Sequence, residues 1–168
     1  MRNIYLIGFM GAGKSTIARE LAAQTGAKQI EMDQLIEEQQ GMAITEIFAK
    51  YGEAHFRDME TELLKSFSRE ENIVVSCGGG SVLRDENTTI MKESGKIILL
   101  TASPETIYER VKDCTDRPIL NGNMNVDFIR GLMEKRRERY ESVADVTIAT
   151  DGKSKEEICG EILRQIQV

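Results

Sequence analysis

The sequence predicts an α/β protein, a parallel sheet covered on both faces by helices. Five short strand-like runs, at Ile4–Ile7, Ala27–Met32, Ile73–Val75, Lys96–Leu100 and Val146–Ala149, alternate with stretches of helical periodicity. The length of 168 residues suits one domain, taken here as residues 1–168. Residues able to do chemistry come directly after strands: a glycine-rich loop after the first, Asp33 after the second, a glycine triplet after the third. Open parallel sheets hold their ligands at those carboxyl ends.

The elements follow in order. Ile4 to Ile7 is apolar, ends at Gly8 and reads as a strand buried on both faces. Lys14 to Gln24 aligns Ile17, Ala18, Leu21 and Ala22 on one helical face. After the second strand the pattern is helical in pieces. One helix covers about 34–39 and ends near Gly41; a second carries Ile44, Ile47 and Phe48 and stops near Gly52. A third covers about 53–69, with Phe56, Met59, Leu63 and Phe67 on one face. The third strand stops at Gly78-Gly79-Gly80. After the fourth, Ser103 caps a helix that has Pro104 in its first turn. Residues 113–125 lack apolar periodicity and hold Pro118, Gly122 and three asparagines, the composition of a functional loop. Helices at about 126–143 and 154–167 flank the last strand.

Composition narrows the function. The net charge of −6 argues against broad nucleic-acid binding, which draws its affinity from neutralised phosphates. Cys77, Cys114 and Cys159 are odd in number and far apart, as expected of reduced thiols in a cytoplasmic protein. No window approaches 18 apolar residues, so no membrane span is expected, and the apolar run near the N-terminus is too short for a signal peptide.

Gly8-Phe9-Met10-Gly11-Ala12-Gly13-Lys14-Ser15 matches G-x-x-x-x-G-K-[ST] between a strand and an amphipathic helix. The glycines let backbone N–H groups turn inward around phosphates, and the following helix adds the positive end of its dipole. Lys14 would reach the outer phosphates, and the Ser15 hydroxyl would coordinate magnesium, a cation that prefers oxygen. This motif calls for a nucleoside triphosphate and leaves the second substrate open.

Several features stand where an acceptor would lie. Asp33 either takes or orients a hydroxyl proton, or caps the helix at 34–39. Glu31, two residues earlier on a strand, would point to the same side. Arg136 falls in the middle of the stripe Ile129, Leu132, Met133, Tyr140 and Val143, so it needs an anion, supplied by the protein or by a ligand. Arg57 has Glu53 at i−4 and Glu60 at i+3, which is either a surface ion pair or a held binding group. Three successive glycines would let backbone approach a ligand, and Arg117 in the 113–125 loop would close over a transferring phosphoryl group.

Taken together these residues resemble the shikimate kinase family. The resemblance runs from Ile4 to about Ala149. It includes the P-loop, Asp33 through Gly41 and Ile44 to Phe48, Gly52-Glu53, Phe56-Arg57, Glu60, Gly78-Gly79-Gly80, Arg117-Pro118, and Arg136 followed by Tyr140. It implies the three-layer α/β/α fold of the nucleoside monophosphate kinase group, with a five-stranded parallel sheet, a substrate-binding helical region at about 33–60 and a lid at about 112–124. It implies transfer of the terminal phosphoryl group of ATP, with Mg2+, to shikimate. Lys14, Asp33 and Arg117 would be catalytic. Gly11, Ala12, Gly13, Lys14, Ser15, Thr16, Arg110 and Arg117 would meet ATP, with Ser15 on the metal. Asp33, Arg57, Gly79, Gly80 and Arg136 would bind shikimate. A cytoplasmic monomer acting on a small molecule, with neither nucleic acid nor membrane as partner, is expected. Two positions depart from the family: Glu31 stands where many members have aspartate, and 150–155, the segment near adenine, has no strong match. Other readings are a gluconate or nucleoside monophosphate kinase, or a nucleotide-binding switch.

Overall fold

A computed structural model describes residues 2–112 and 125–166. In chain order these form β1 (Asn3–Ile7), α1 (Lys14–Thr25), β2 (Lys28–Glu31), α2 (Met32–Gln40), α3 (Ile44–Tyr51), α4 (Glu53–Phe67), β3 (Ile73–Ser76), α5 (Asp85–Ser94), β4 (Gly95–Thr101), α6 (Pro104–Val111), α7 (Val126–Val143), β5 (Val146–Ala149) and α8 (Lys155–Ile166). The five strands make one sheet in the order β2-β3-β1-β4-β5, every pairing parallel. The three-layer α/β class expected from the alternation is the one observed.

β1 and β3, inside the sheet, are its most completely buried strands. All five residues of β1 and all four of β3 are buried, as helices on both faces require. Tyr5, Leu6, Leu21, Met32, Ile36, Ile47, Leu64 and Met91 are among the side chains fully removed from water. Order reverses at β1, with β3 on one side and β4 on the other, and this places the P-loop at the crevice where the two halves of the sheet diverge.

Register aligns the loops. Leu6 pairs with Ser76, and Ser76 with Glu31, so one row crosses β1, β3 and β2. Gly8, Gly78 and Asp33 each stand two residues beyond that row. The P-loop, the glycine turn and the first turn of α2 thus begin level with one another on one edge of the sheet.

Three local expectations change. The second strand ends at Glu31, and Met32 already opens α2, because Met32 packs into the core from the helix. Asp33 therefore lies inside the first turn of α2 and Glu31 occupies the cap position, so Asp33 is not the N-cap and the two carboxylates do not share a strand face. Between Ser81 and Gly95, where the sequence pattern predicts no element, α5 forms with Asn87, Thr88 and Met91 buried. Two of those three are polar, which removes the apolar stripe. Thr61 Oγ1 donates to Asn87 Oδ1 at 2.7 Å, and Asn87 Nδ2 donates to the Ser81 carbonyl at 2.8 Å, so hydrogen bonds replace apolar contact on that face.

Candidate active site

The nucleotide side is built at the turn from β1 into α1. Gly11 and Gly13 have φ of 81° and 100°, a left-handed conformation that costs side-chain-bearing residues free energy, and Gly13 caps α1. Lys14 Nζ donates to the Gly8 carbonyl at 2.5 Å, which curls the side chain over the loop. Ser15 Oγ donates to Glu31 Oε2 at 2.8 Å, and Gln29 Nε2 donates to Glu31 Oε1 at 2.8 Å. The longer Glu31 side chain thus reaches the first turn of α1. Arg110, on α6, donates from Nη1 to the Gly11 carbonyl at 2.8 Å and leans on the loop. Gly11, Gly13, Lys14, Ser15 and Thr16 border the cavity described below, whereas Ala12 is buried beneath the loop and gives its N–H to the Phe9 carbonyl at 3.1 Å.

The opposite wall is assembled from α2, α4, α7 and the glycine turn after β3. Each glycine of that turn abuts a different charged group. A Cβ on Gly78 would lie 2.6 Å from Asp33 Oδ1 and 2.9 Å from Glu60 Oε2; a Cβ on Gly79 would lie 3.1 Å from an Arg136 Nη; a Cβ on Gly80 would overlap the Arg57 guanidinium. Asp33, Arg57 and Arg136 therefore converge on a single turn. Together with the P-loop they border one cavity of about 760 Å3, a size suited to small-molecule binding.

Glu60 is the residue that the sequence reading left as a mere partner of Arg57. It is fully buried, and its Oε1 accepts from Arg57 Nη1 at 2.7 Å; Arg57 also meets the exposed Glu53 at 3.2 Å. Burial raises the Glu60 carboxyl to about 7, against the lowering effect of Arg57 beside it. Burial also works against the charge of Arg57, and the Glu60 carboxylate more than offsets this, so the guanidinium pKa is raised. The pair is not the surface ion pair that i+3 spacing alone allows. Among the described residues, Glu60 Oε2 and Arg57 Nε have no hydrogen-bond partner, and buried polar atoms in that state are rare unless a ligand serves them. The signal for Glu60 was available: it falls between Phe56 and Leu63 on the buried stripe of α4, the same argument that singled out Arg136.

Arg136 stands on α7 above the buried Ile129, Tyr140 and Val143, as its periodicity predicts. Its neighbours diverge. Arg139 turns away to donate to the Val82 carbonyl at 2.7 Å and to Asp85 at 2.8 Å, and Arg137 pairs with Glu134 at 3.2 Å on the surface. Asp151, in the segment expected near adenine, accepts from Ser103 N at 3.1 Å and Thr106 Oγ1 at 2.7 Å, and these donors hold its carboxyl below the usual range. Arg117 and residues 113–124 of the expected lid lie outside the described residues.

With this geometry in hand, comparison with known proteins is decisive. Residues 10–167 match the family model described as shikimate kinase. The chain belongs to the shikimate kinase family. It is 43% identical to the shikimate kinase of Geobacter metallireducens over 96% of this chain and 90% of the relative. It is 44% identical to that of Persephonella marina over 99% of this chain and the whole of the relative. The solved structure of a shikimate kinase from Acinetobacter baumannii in complex with shikimate superimposes with a TM-score of 0.93, at 33% identity, over 99% of this chain and 93% of that one. Shikimate kinase membership accounts for an apparent mismatch, an acidic chain that handles polyphosphate: the P-loop works through backbone N–H groups and a lysine, so global charge need not be positive.

Proposed function

We propose that the chain transfers the terminal phosphoryl group of ATP to the 3-hydroxyl of shikimate, giving ADP and shikimate 3-phosphate. The observation that carries this is the convergence of Asp33, Arg57 and Arg136 on the glycine turn, across one cavity from the P-loop. The Arg57 and Arg136 guanidinium groups beside the Asp33 carboxylate suit a small hydroxy acid: planar arginine forks bind a carboxylate through both oxygens, and Asp33 would face a hydroxyl.

Arg57 and Arg136 would hold the substrate carboxylate. Gly79 and Gly80, having no side chains, would let the ring approach the backbone. Asp33 would orient the reacting hydroxyl and accept its proton as the oxygen bonds to phosphorus and the bond from phosphorus to the ADP oxygen breaks. The loose transition state rewards positioning and charge stabilisation above covalent help. The backbone N–H groups and Lys14 would stabilise the phosphate charge on this side, with Arg110 at the nucleotide and Arg117 contributing from the lid.

The oxygen donors at the start of α1 fit Mg2+. Ser15 Oγ and the Glu31 carboxylate lie together at 2.8 Å, a hard-donor pair beside the phosphate cradle. When bound there with ATP, the ion would neutralise charge on the phosphate oxygens.

An ADP-release assay against a panel of shikimate, gluconate and nucleoside monophosphates tests the acceptor. Turnover with shikimate and none with the others is expected. Arg136→Ala should weaken shikimate binding roughly 30- to 150-fold, the loss of about 2–3 kcal/mol for charge-assisted hydrogen bonds, and leave ATP affinity within twofold. Equal losses for both ligands would make Arg136 a structural residue.

A further inference from the structure

The glycine turn poses a physical problem. The peptides joining Gly78 to Gly79 and Gly79 to Gly80 each have glycine on both sides, so their planes rotate at less cost than peptides flanked by residues with side chains. A site that reads ring hydroxyls through this backbone needs one orientation selected.

Its carbonyls are all tied down from outside the cavity. The Gly78 carbonyl accepts from Ser81 N at 3.1 Å and Ser81 Oγ at 2.8 Å, and the Gly80 carbonyl accepts from Leu83 N at 3.2 Å. The Ser81 carbonyl accepts from Asn87 at 2.8 Å, and the Val82 carbonyl from Arg139 at 2.7 Å. These bonds come from within the turn, from the neighbouring α5 and, through Arg139, from α7. The Gly79 carbonyl is held by Tyr140, one helical turn after the cavity-lining Arg136: Tyr140 Oη donates to it at 2.6 Å.

Tyr140 lies four residues after Arg136 on α7, so the two side chains share one face. A Cβ on Gly79 would lie 3.1 Å from Arg136 and 3.7 Å from Tyr140 Oη, so both groups close on the same backbone atoms. The tyrosine ring is buried. A planar trans peptide points its N–H opposite to its C=O. With the Gly79 carbonyl drawn to Tyr140, the Gly80 N–H is turned the other way, and Gly80 itself borders the cavity.

We infer that Tyr140 is a positioning residue for the acceptor: it fixes the Gly79–Gly80 peptide in the orientation that presents the Gly80 N–H to a ring hydroxyl, and braces Arg136 on the same face. This rests on the reading of the cavity as the shikimate site. A buried tyrosine needs some hydrogen-bond partner in any protein. What distinguishes this one is that its acceptor belongs to a peptide flanked by two glycines, whereas the other such peptide, Gly78–Gly79, is held from within the turn by Ser81.

Tyr140→Phe keeps the ring and removes the donor. Steady-state kinetics with each substrate varied, shikimate calorimetry, and thermal unfolding are measured on wild type, Tyr140→Phe, Arg136→Ala and the double variant. The expected result is a rise of roughly 5- to 30-fold in shikimate KM and Kd, the range for an orphaned buried hydrogen-bonding group, with ATP KM within twofold. The double variant should lose less than the product of the two single effects, because both act on one turn. Shikimate binding within twofold of wild type overturns the inference. So does a parallel loss for both substrates, or a variant that fails to fold, since either places Tyr140 in the core alone. Wild type itself serves as the control: absence of shikimate binding and turnover there defeats the functional reading and the inference with it, whereas shikimate turnover by wild type that Tyr140→Phe leaves unchanged defeats the inference alone.

Discussion

Replacing Glu60 by glutamine removes a charge while keeping the shape of the side chain, and its effect should depend on pH. Glu60 is fully buried, and its carboxyl is raised from 4.5 to about 7 because burial outweighs the attraction of Arg57. The sign follows from linkage. A group whose pKa is higher in the folded state binds its proton more tightly there, so it stabilises the fold below pH 4.5 and that contribution is lost as pH rises through 7. The gap of about 2.5 units, the difference of those two values, corresponds to about 3 kcal/mol at 1.36 kcal/mol per unit. Glutamine does not titrate. The stability of wild type relative to Glu60→Gln should therefore fall by about 3 kcal/mol between pH 5 and pH 8. Urea unfolding of both proteins at half-unit pH steps measures it, and the difference between the two curves cancels the other titrating groups. A difference that stays flat across this window would refute the claim that the folded state favours neutral Glu60. A difference that grows with pH in favour of wild type would show that Arg57 outweighs burial.

Three further perturbations test separate parts of the site. Gly80→Ala places a methyl group where the Arg57 guanidinium now sits; displacing it should cost about 1–3 kcal/mol of shikimate binding, read as a higher shikimate KM at constant ATP KM. Glu31→Gln should raise the Mg2+ concentration needed for half-maximal rate without moving shikimate KM, because Glu31 holds Ser15 and stands on the nucleotide side. Lys14→Ala should lower kcat at least about a hundredfold, the scale seen when one preorganised charge-stabilising group is removed, and an unchanged kcat would exclude that role.

Periodicity and punctuation carried most of the architecture. The bounds expected for α7 and β5 match those observed, because a long stripe ending at Val143 and a four-residue strand leave little freedom. Helix α5 was illegible because its buried face carries the polar Asn87 and Thr88: Asn87 is met by Thr61 on α4, remote in sequence, and by the Ser81 carbonyl, while Thr88 bonds back to the Asp85 carbonyl. The P-loop was legible as a string, since every residue that shapes it is local. The wall opposite the P-loop was not. Asp33, Arg57 and Arg136 come from three helices, and their convergence depends on which glycine each one meets. Arg136 betrayed itself as a cation on an apolar stripe. Glu60 carried the same mark on α4 but stood beside an arginine at i+3, and that spacing passes as a surface pair until burial is known.

The common starting line of the P-loop, the glycine turn and α2 sets how the gene coding for this chain can change. Gly8, Gly78 and Asp33 keep their spacing because β1, β3 and β2 have matched lengths up to the row of Leu6, Ser76 and Glu31. Inserting or deleting one codon inside any of these strands would shift its loop by about 3.3 Å and send alternate side chains to the wrong face. That displacement exceeds the roughly 1 Å within which reacting groups must be held. The residue count of these strands therefore constrains the site as tightly as the identity of any side chain that follows them.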